Sequence, residues 1–417
     1  MKSPFLHPRF AAPRLAEALS DTPVVLIHGP RQSGKTTLAR SVGNPLGYTY
    51  LTLDDPTIAQ AAREDPAGFV ADLPERVILD EVQRTPGIFS SLKLSVDRNR
   101  KPGRFLLTGS ANVLMVPGLS DSLAGRMEIL RLHPLSQAEL AGAESHFLDR
   151  LFGAVFPVAT TPRLGAELAS RITKGGYPAA LAREQPRRRA AWYRDYLETL
   201  VQRDVLDLSR VRSLDVLPRL LALAASQTAR LLNVSDFAAP FGQTRATIRD
   251  YVTLLEQVFL VEELPPWHSN HVSRLVKTPK IHLGDTGLAC ALLGLGESDL
   301  AGHRETFGPM LETFVYQELR RQADWAGTPI RFFHFRDRDQ AEVDLVVERG
   351  MFELAGIEVK ASGTVTARDF NGLRKLQKAA GDRFKAGVVL YDGETTLGFG
   401  SSLFAVPIRR IWEPPAA

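Results

Sequence analysis

From Val24 to Leu132 the chain alternates short apolar runs with helical or loop segments. The runs cover 24–27, 48–53, 77–79, 105–107 and 127–132. Five such runs, spaced by helices or loops, predict a parallel sheet with helices on its faces. Ahead of them, residues 1–20 place Leu15 and Leu19 on one face of a short amphipathic helix. Pro134 breaks the pattern. Residues 136–230 read as mostly helical, interrupted at Gly175-Gly176-Tyr177-Pro178; Trp192, Tyr193 and Tyr196 are assigned to core and Arg187–Arg189 to a solvated face. Residues 231–265 carry helix–helix–strand signals and end on the Pro-rich joint Leu264–Trp267. From about 300 a second α/β unit is predicted. It has a helix over 307–323, strands over 331–335, 341–348 and 354–360, a helix over 367–380, and strands over 386–391 and 403–410.

The sharpest chemical signal is Gly29-Pro30-Arg31-Gln32-Ser33-Gly34-Lys35-Thr36, which fits the pattern G-x-x-x-x-G-K-[ST]. The run Val24–Ile27 precedes it as a strand, and Thr37-Leu38-Ala39-Arg40 follows as a helix start. Glycines let the backbone curl so that its N–H groups point at phosphate oxygens. The helix turns its positive end toward the same anion. Lys35 is placed for the β- and γ-phosphates, the Thr36 hydroxyl for Mg²⁺, and Thr37 completes the nucleotide-binding set. ATP and Mg²⁺ are the expected cofactors.

The third run ends Val77-Ile78-Leu79-Asp80-Glu81. Asp80 is placed to hold the metal's shell and Glu81 to act as general base on water. The fourth ends Leu107-Thr108-Gly109-Ser110, and either hydroxyl can sense the γ-phosphate. This strand is expected between the other two, the order of P-loop proteins that use a glutamate for water. Arg126, in Leu123-Ala124-Gly125-Arg126, is read either as a stabiliser of the transferred phosphoryl, in its own subunit or a neighbour's, or as a surface ion-pair partner. Arg203-Asp204 is a weaker candidate of the same kind.

These segments resemble a prokaryotic AAA+-type ATPase family marked by G-P-R-Q-x-G-K-T-T, L-D-E-[VI]-Q, L-T-G-S, L-x-G-R and G-G-Y-P. Here they are Gly29–Thr37, Leu79–Gln83, Leu107–Ser110, Leu123–Arg126 and Gly175–Pro178. Pro279–Leu288 resembles the family's P-K-x-Y-x-x-D-x-G-L, with His282 where an aromatic is usual. The resemblance implies ATP hydrolysis through Asp80 and Glu81, a winged helix and a nuclease-like C-terminal fold.

Within 231–265, Ser235 or Asp236 caps a short helix, Phe241-Gly242-Gln243 turns, and Thr244–Gln257 places Ile248, Tyr251, Val252 and Leu255 on one side. Thr244, Arg245, Thr247 and Arg249 lie on the other, and Phe259–Val261 is assigned to the wing. This is a helix-turn-helix for DNA or a packing module. Further on, Asp344, Glu358 and Lys360 fall on two adjacent predicted strands and Glu312 on the long helix. Glu358 and Lys360, two apart, face one way. The spacing D-x(13)-E-x-K resembles the restriction-endonuclease-like family. There Glu312, Asp344 and Glu358 are expected to hold Mg²⁺, and Lys360 to orient water. A binding platform that no longer cleaves is the alternative.

At 417 residues the chain exceeds one core, and 44% hydrophobic with 24% charged residues is an ordinary globular balance. No apolar stretch is long enough for a bilayer, and MKSPFLHPRF lacks a signal-peptide core. A cytoplasmic protein without a membrane partner is expected. One cysteine, Cys290, excludes an intrachain disulfide and a cysteine-built zinc site; His268-x-x-His271 has no third ligand nearby. Net charge +4 and pI about 9.2 permit DNA or RNA binding without requiring it. The expected division is an ATPase core over 1–134, a helical lid over 135–219, a winged helix over 220–267 and a nuclease-like domain over 268–417. The expected function is an ATPase coupled to a C-terminal domain acting on nucleic acid, alternatively an ATP-driven switch whose C-terminal domain binds a partner without cutting. Homo-oligomers are compatible with either.

Overall fold

The computed structural model describes residues 7–110, 123–201, 216–268, 278–337, 339 and 341–413. The chain divides into two bodies: Pro8–Leu135 with Gln257–Phe259, and Ser136–Glu256 with Leu260–Ala417. Arg203, Asp204 and His271 lie outside the described residues.

In the first body β1 (Val24–His28), β2 (Thr49–Thr52), β3 (Val77–Asp80), β4 (Phe105–Gly109) and β5 (Met127–Arg131) form a parallel sheet in the order β2-β3-β4-β1-β5. Alternate residues face opposite ways. Val24, Leu26, Val77, Leu79, Phe105 and Leu107 pack under the helices Pro56–Glu64, Pro66–Ala71 and Ile88–Arg98. Val25, Ile27, Ile78, Leu106 and Leu130 pack under Ala12–Asp21 and Lys35–Gly43. Both faces of β1, β3 and β4 are covered, which is why these three strands read as near-continuous apolar runs. Each such side chain contributes about 1.5–3 kcal/mol on burial. The carboxyl ends of β1, β3 and β4 deliver Gly29, Glu81 and Ser110 to one edge, with β4 between the other two as expected.

In the second body the helices Ala166–Lys174, Pro186–Leu200 and Val216–Ser226 pack round Thr286–Leu293. Their junction is Asp285, 1% exposed. It caps Thr286–Leu293 by accepting from Gly287 N and Leu288 N, and also accepts from Gly176 N (2.8 Å), Tyr193 Oη (3.1 Å) and Arg321 Nη2 (3.3 Å). A Cβ on Gly175 would run into the Asp285 carboxylate and the Tyr193 hydroxyl, and one on Gly287 into Gly175. The G-G-Y-P segment and the Asp285–Leu288 segment therefore need their glycines because they pack on each other. Tyr193 is buried here, as its core assignment implied. Arg189 departs from the solvated reading: it is buried, and Nη2 donates to the carbonyls of Arg183 and Glu184, each at 3.2 Å.

The helices Val234–Ala238 and Arg245–Gln257 are followed by β8 (Val261–Leu264). With β7 (Arg230–Leu231) and β9 (Lys280–Leu283) it forms an antiparallel sheet in the order β7-β9-β8. The short helix is capped by Asn233, not Ser235 or Asp236. Of the residues assigned to the wing, Phe259 and Leu260 precede β8, and Val261 opens it, paired with Leu283 of β9; all three are buried.

A larger sheet joins β6 (Ala159–Thr160), β10 (Ile330–Arg336), β11 (Glu342–Arg349), β12 (Glu353–Lys360), β13 (Phe384–Tyr391), β14 (Thr395–Gly398) and β15 (Leu403–Pro407) in the order β10-β11-β12-β13-β15-β14-β6. β10, β11 and β12 are an antiparallel meander, and β12 runs parallel to β13. Phe370, Leu373 and Leu376, at and within the helix Asn371–Ala380, cover Phe333, Val343, Leu354 and Val389. The helix Arg304–Ala323 packs on β12. No helix among the described residues is long and apolar enough to cross a membrane.

Candidate functional site

The loop from Gly29 to Thr36 sits at the carboxyl edge of the first sheet. Gly29 is required by crowding: a Cβ there would overlap the Leu132 carbonyl oxygen, just past β5. Gly34 adopts φ 96°, which favours glycine, and precedes the helix Lys35–Gly43. Gln32 also has positive φ. Lys35 is 5% exposed, and its Nζ donates to the carbonyls of Gly29 (3.0 Å) and Pro30 (2.8 Å). The loop thus folds round its own ammonium. Ser33 is fully buried, and its hydroxyl meets no hydrogen-bond partner among the described residues. Arg9, which nothing in the sequence singled out, steadies the loop: Nη1 donates to Ser33 O and Nη2 to His133 O, both at 2.7 Å.

The acidic pair lies two strands over, at the end of β3 beyond β4. Thr36 Oγ1 donates to Asp80 Oδ1 (2.9 Å) and Oδ2 (3.2 Å), so the hydroxyl and carboxylate expected to hold Mg²⁺ stand side by side. Thr108 donates to Asp80 Oδ1 and Tyr50 to Oδ2 (2.8 Å). Burial, together with that bond to Asp80, pushes the Tyr50 phenol up to about 12, which keeps it a donor. Glu81 has φ 58°, a conformation a non-glycine residue adopts at a cost. Its carboxylate accepts from Ser110 Oγ (2.8 Å) and from Gln83 Nε2; Gln83 also donates to Ser110 (3.0 Å). Tyr50 and Gln83 escaped the sequence reading, although Gln83 lies inside the L-D-E-V-Q segment.

The structure corrects one half of the Arg126 reading. Arg126 precedes β5, whose first residue pairs with Val24 at the start of β1, whereas the phosphate loop follows the end of β1. In a parallel sheet those are opposite edges, about 17 Å apart at 3.3 Å per residue. Arg126 cannot reach its own chain's loop. Its Nε and Nη2 meet Asp97 at 2.6 and 3.0 Å, the surface ion pair of the alternative reading.

In the second body Glu312, Asp344, Glu358 and Lys360 do come together. Asp344 Oδ2 accepts from Val359 N (2.9 Å), and Lys360 Nζ donates to Glu358 Oε1 (2.9 Å). Burial, then the Asp344 charge, raise the Glu312 and Glu358 carboxyls above the usual range. Two further residues, both missed in the sequence, complete the group: Lys280 and Glu342. Lys280 Nζ lies 2.8 Å from Glu312, 2.9 Å from Glu342 and 3.4 Å from Asp344, and its side chain is 3% exposed. Mg²⁺ demands near-octahedral oxygen at about 2.0–2.1 Å, and here an ammonium already holds the oxygens. Among the described residues no three Asp, Glu, His or Cys side chains are grouped to hold a metal ion. The C-terminal carboxylates do not fit Mg²⁺ as they stand. His282 is buried, its Nδ1 3.0 Å from Thr313 Oγ1 and its ring 4.7 Å from that of Tyr316.

On the helix-turn-helix segment Thr244 and Arg245 are exposed, while Arg249 is paired with Glu263.

Comparison with known proteins agrees with the geometry of the first site. The family profile described as "AAA domain" matches residues 21–141; two described as "Domain of unknown function", DUF8612 and DUF4143, match 165–299 and 307–411. The uncharacterized proteins Rv2008c of Mycobacterium tuberculosis and Mb2031c of Mycobacterium bovis are each 30% identical over 97% of this chain and 84% of their own length. Among solved structures, the Walker-type ATPase paby2304 of Pyrococcus abyssi is 16% identical, covering 68% of this chain and 94% of that one, with a TM-score of 0.43. The chain belongs to the family of the two mycobacterial proteins, and its first body is an AAA-type P-loop ATPase domain.

Proposed function

We propose that this protein binds ATP at Gly29–Thr37 and hydrolyses it. The observation that carries the reading is the convergence of Thr36, Asp80 and Glu81 at the sheet edge where the loop emerges. Lys35 and the loop amides hold the phosphates, and Thr36 with Asp80 holds the Mg²⁺ that accompanies ATP and offsets its charge. Glu81, aimed by Ser110 and Gln83, takes the proton of the attacking water. Thr108 reports on Asp80. A homo-oligomer would let Arg126 exchange Asp97 for the phosphate of a neighbouring subunit.

We assign the helices Val234–Ala238 and Arg245–Gln257 with β7–β9 to a winged helix, and β10–β13 with the helices Arg304–Ala323 and Asn371–Ala380 to a restriction-endonuclease-like domain. Lys280 among the carboxylates favours the second functional reading: an ATP-driven cytoplasmic switch whose second body binds a protein or nucleic-acid partner, DNA or RNA, without cutting it. ATP turnover by wild type and Lys35→Ala tests the first part, and turnover retained in the variant refutes it. Fluorescence anisotropy on labelled duplex and single strands, with and without ATP, tests the second. Cutting by wild type with Mg²⁺ or Mn²⁺, lost in Asp344→Ala, would restore the nuclease reading.

A further inference from the structure

The positive charge that a nuclease would take from a metal is present in the C-terminal carboxylate cluster as a side chain. Lys280 stands on β9, between β7 and β8, and reaches across to carboxylates on two other elements: Glu312 on the helix Arg304–Ala323, and Glu342 and Asp344 on β11. Glu342 and Asp344 are two apart on one strand and so share a face. An ammonium has three protons and no acceptor, and three carboxylates surround this one. The second oxygen of Asp344 is taken by Val359 N, where the β11–β12 ladder has ended at Leu345–Ile357. One oxygen of Glu358 is taken by Lys360. A divalent ion bridging Glu312 and Asp344 would share its space with the Lys280 ammonium, and like charges in a buried site repel strongly.

We propose that Lys280 is the resident cation of this cluster and excludes divalent metal from Glu312, Asp344 and Glu358 while it is in place. The lysine ties the three-stranded sheet to the larger one, so the cluster acts as a buried clasp between two parts of the second body. The inference rests on the non-cleaving reading above and is independent of ATP hydrolysis.

The test is calorimetric titration of the full chain with Mn²⁺ alone, no nucleotide present. Wild type and Asp344→Asn are expected to give the same isotherm, because no ion binds at the cluster in either. Lys280→Met keeps the stem and removes the charge. It is expected to gain one Mn²⁺ site at least about tenfold tighter than any in wild type, and the added Asp344→Asn to abolish that gain. A wild-type Mn²⁺ site lost in Asp344→Asn would overturn the proposal, as would a folded Lys280→Met that gains none. Should Lys280→Met not fold by circular dichroism, the wild-type and Asp344→Asn pair decides alone. ATP turnover and nucleic-acid anisotropy on the same wild-type sample test the functional reading separately, so either can fail without the other.

Discussion

Replacing Glu81 by glutamine keeps the shape of the side chain and removes the charge that abstracts a proton. The surrounding structure fixes this residue firmly. Its backbone occupies the left-handed region at φ 58°, and its carboxylate is held by Ser110 at 2.8 Å and by Gln83. A positioned general base contributes about 10²–10⁴-fold in rate, which is about 3–5 kcal/mol in the barrier. Glu81→Gln should lower kcat by that factor. Nucleotide affinity should change by less than about threefold, because the phosphates are held by a different loop. Ser110→Ala removes one hydrogen bond to a charged group, about 1.5–3 kcal/mol if fully expressed, and should lower kcat by about tenfold or more. Steady-state phosphate release gives kcat, and displacement of a fluorescent nucleotide gives affinity. If Glu81→Gln turned over ATP within about fivefold of wild type, or failed only because it no longer bound, Glu81 would not be the base.

Three other perturbations have defined outcomes. Gly29→Ala forces a methyl into the Leu132 carbonyl; it should cost about 1–3 kcal/mol in urea unfolding and weaken nucleotide binding. Asp285→Ala strips the cap from Thr286–Leu293 and leaves Arg321 buried without one of its carboxylates; a loss of about 3–5 kcal/mol should appear in thermal melts, with Asp285→Asn milder. Burial, and then the Glu263 charge, push Glu256 up to about 7 from its ordinary 4.5. A raised carboxyl stabilises the fold while protonated, so this contribution is full below about pH 4.5 and is lost as pH rises through about 7, at most about 3 kcal/mol. Glu256→Gln should flatten the stability profile across that window, read by denaturant midpoints at each pH.

The first sheet was legible because β1, β3 and β4 are buried on both faces, so each of these announces itself as an apolar run with its chemistry at the carboxyl end. Thr36, Asp80, Glu81 and Ser110 could be placed for that reason. Arg126 was placed only loosely: just ahead of a strand parallel to β1 it must stand at the edge opposite the phosphate loop, but its partner Asp97 lies on another element and leaves no local signal. Arg9 and Lys280 were invisible for a different reason. Each acts across a long sequence separation, Arg9 on His133 and Lys280 on Asp344, and a lone basic residue carries no local periodicity. Lys280 did lie inside the Pro279–Leu288 resemblance, but its partners come from elements that only folding brings together.

The central claim is that the amides of Gly29–Thr36, closed by Lys35, hold a triphosphate. Calorimetric titration of wild type and Lys35→Ala with Mg-ATP tests it most directly. Saturable binding near one nucleotide per chain in wild type, lost or weakened by about a hundredfold or more in the variant, is the predicted result. No saturation in wild type, or equal affinity in both proteins, would contradict it.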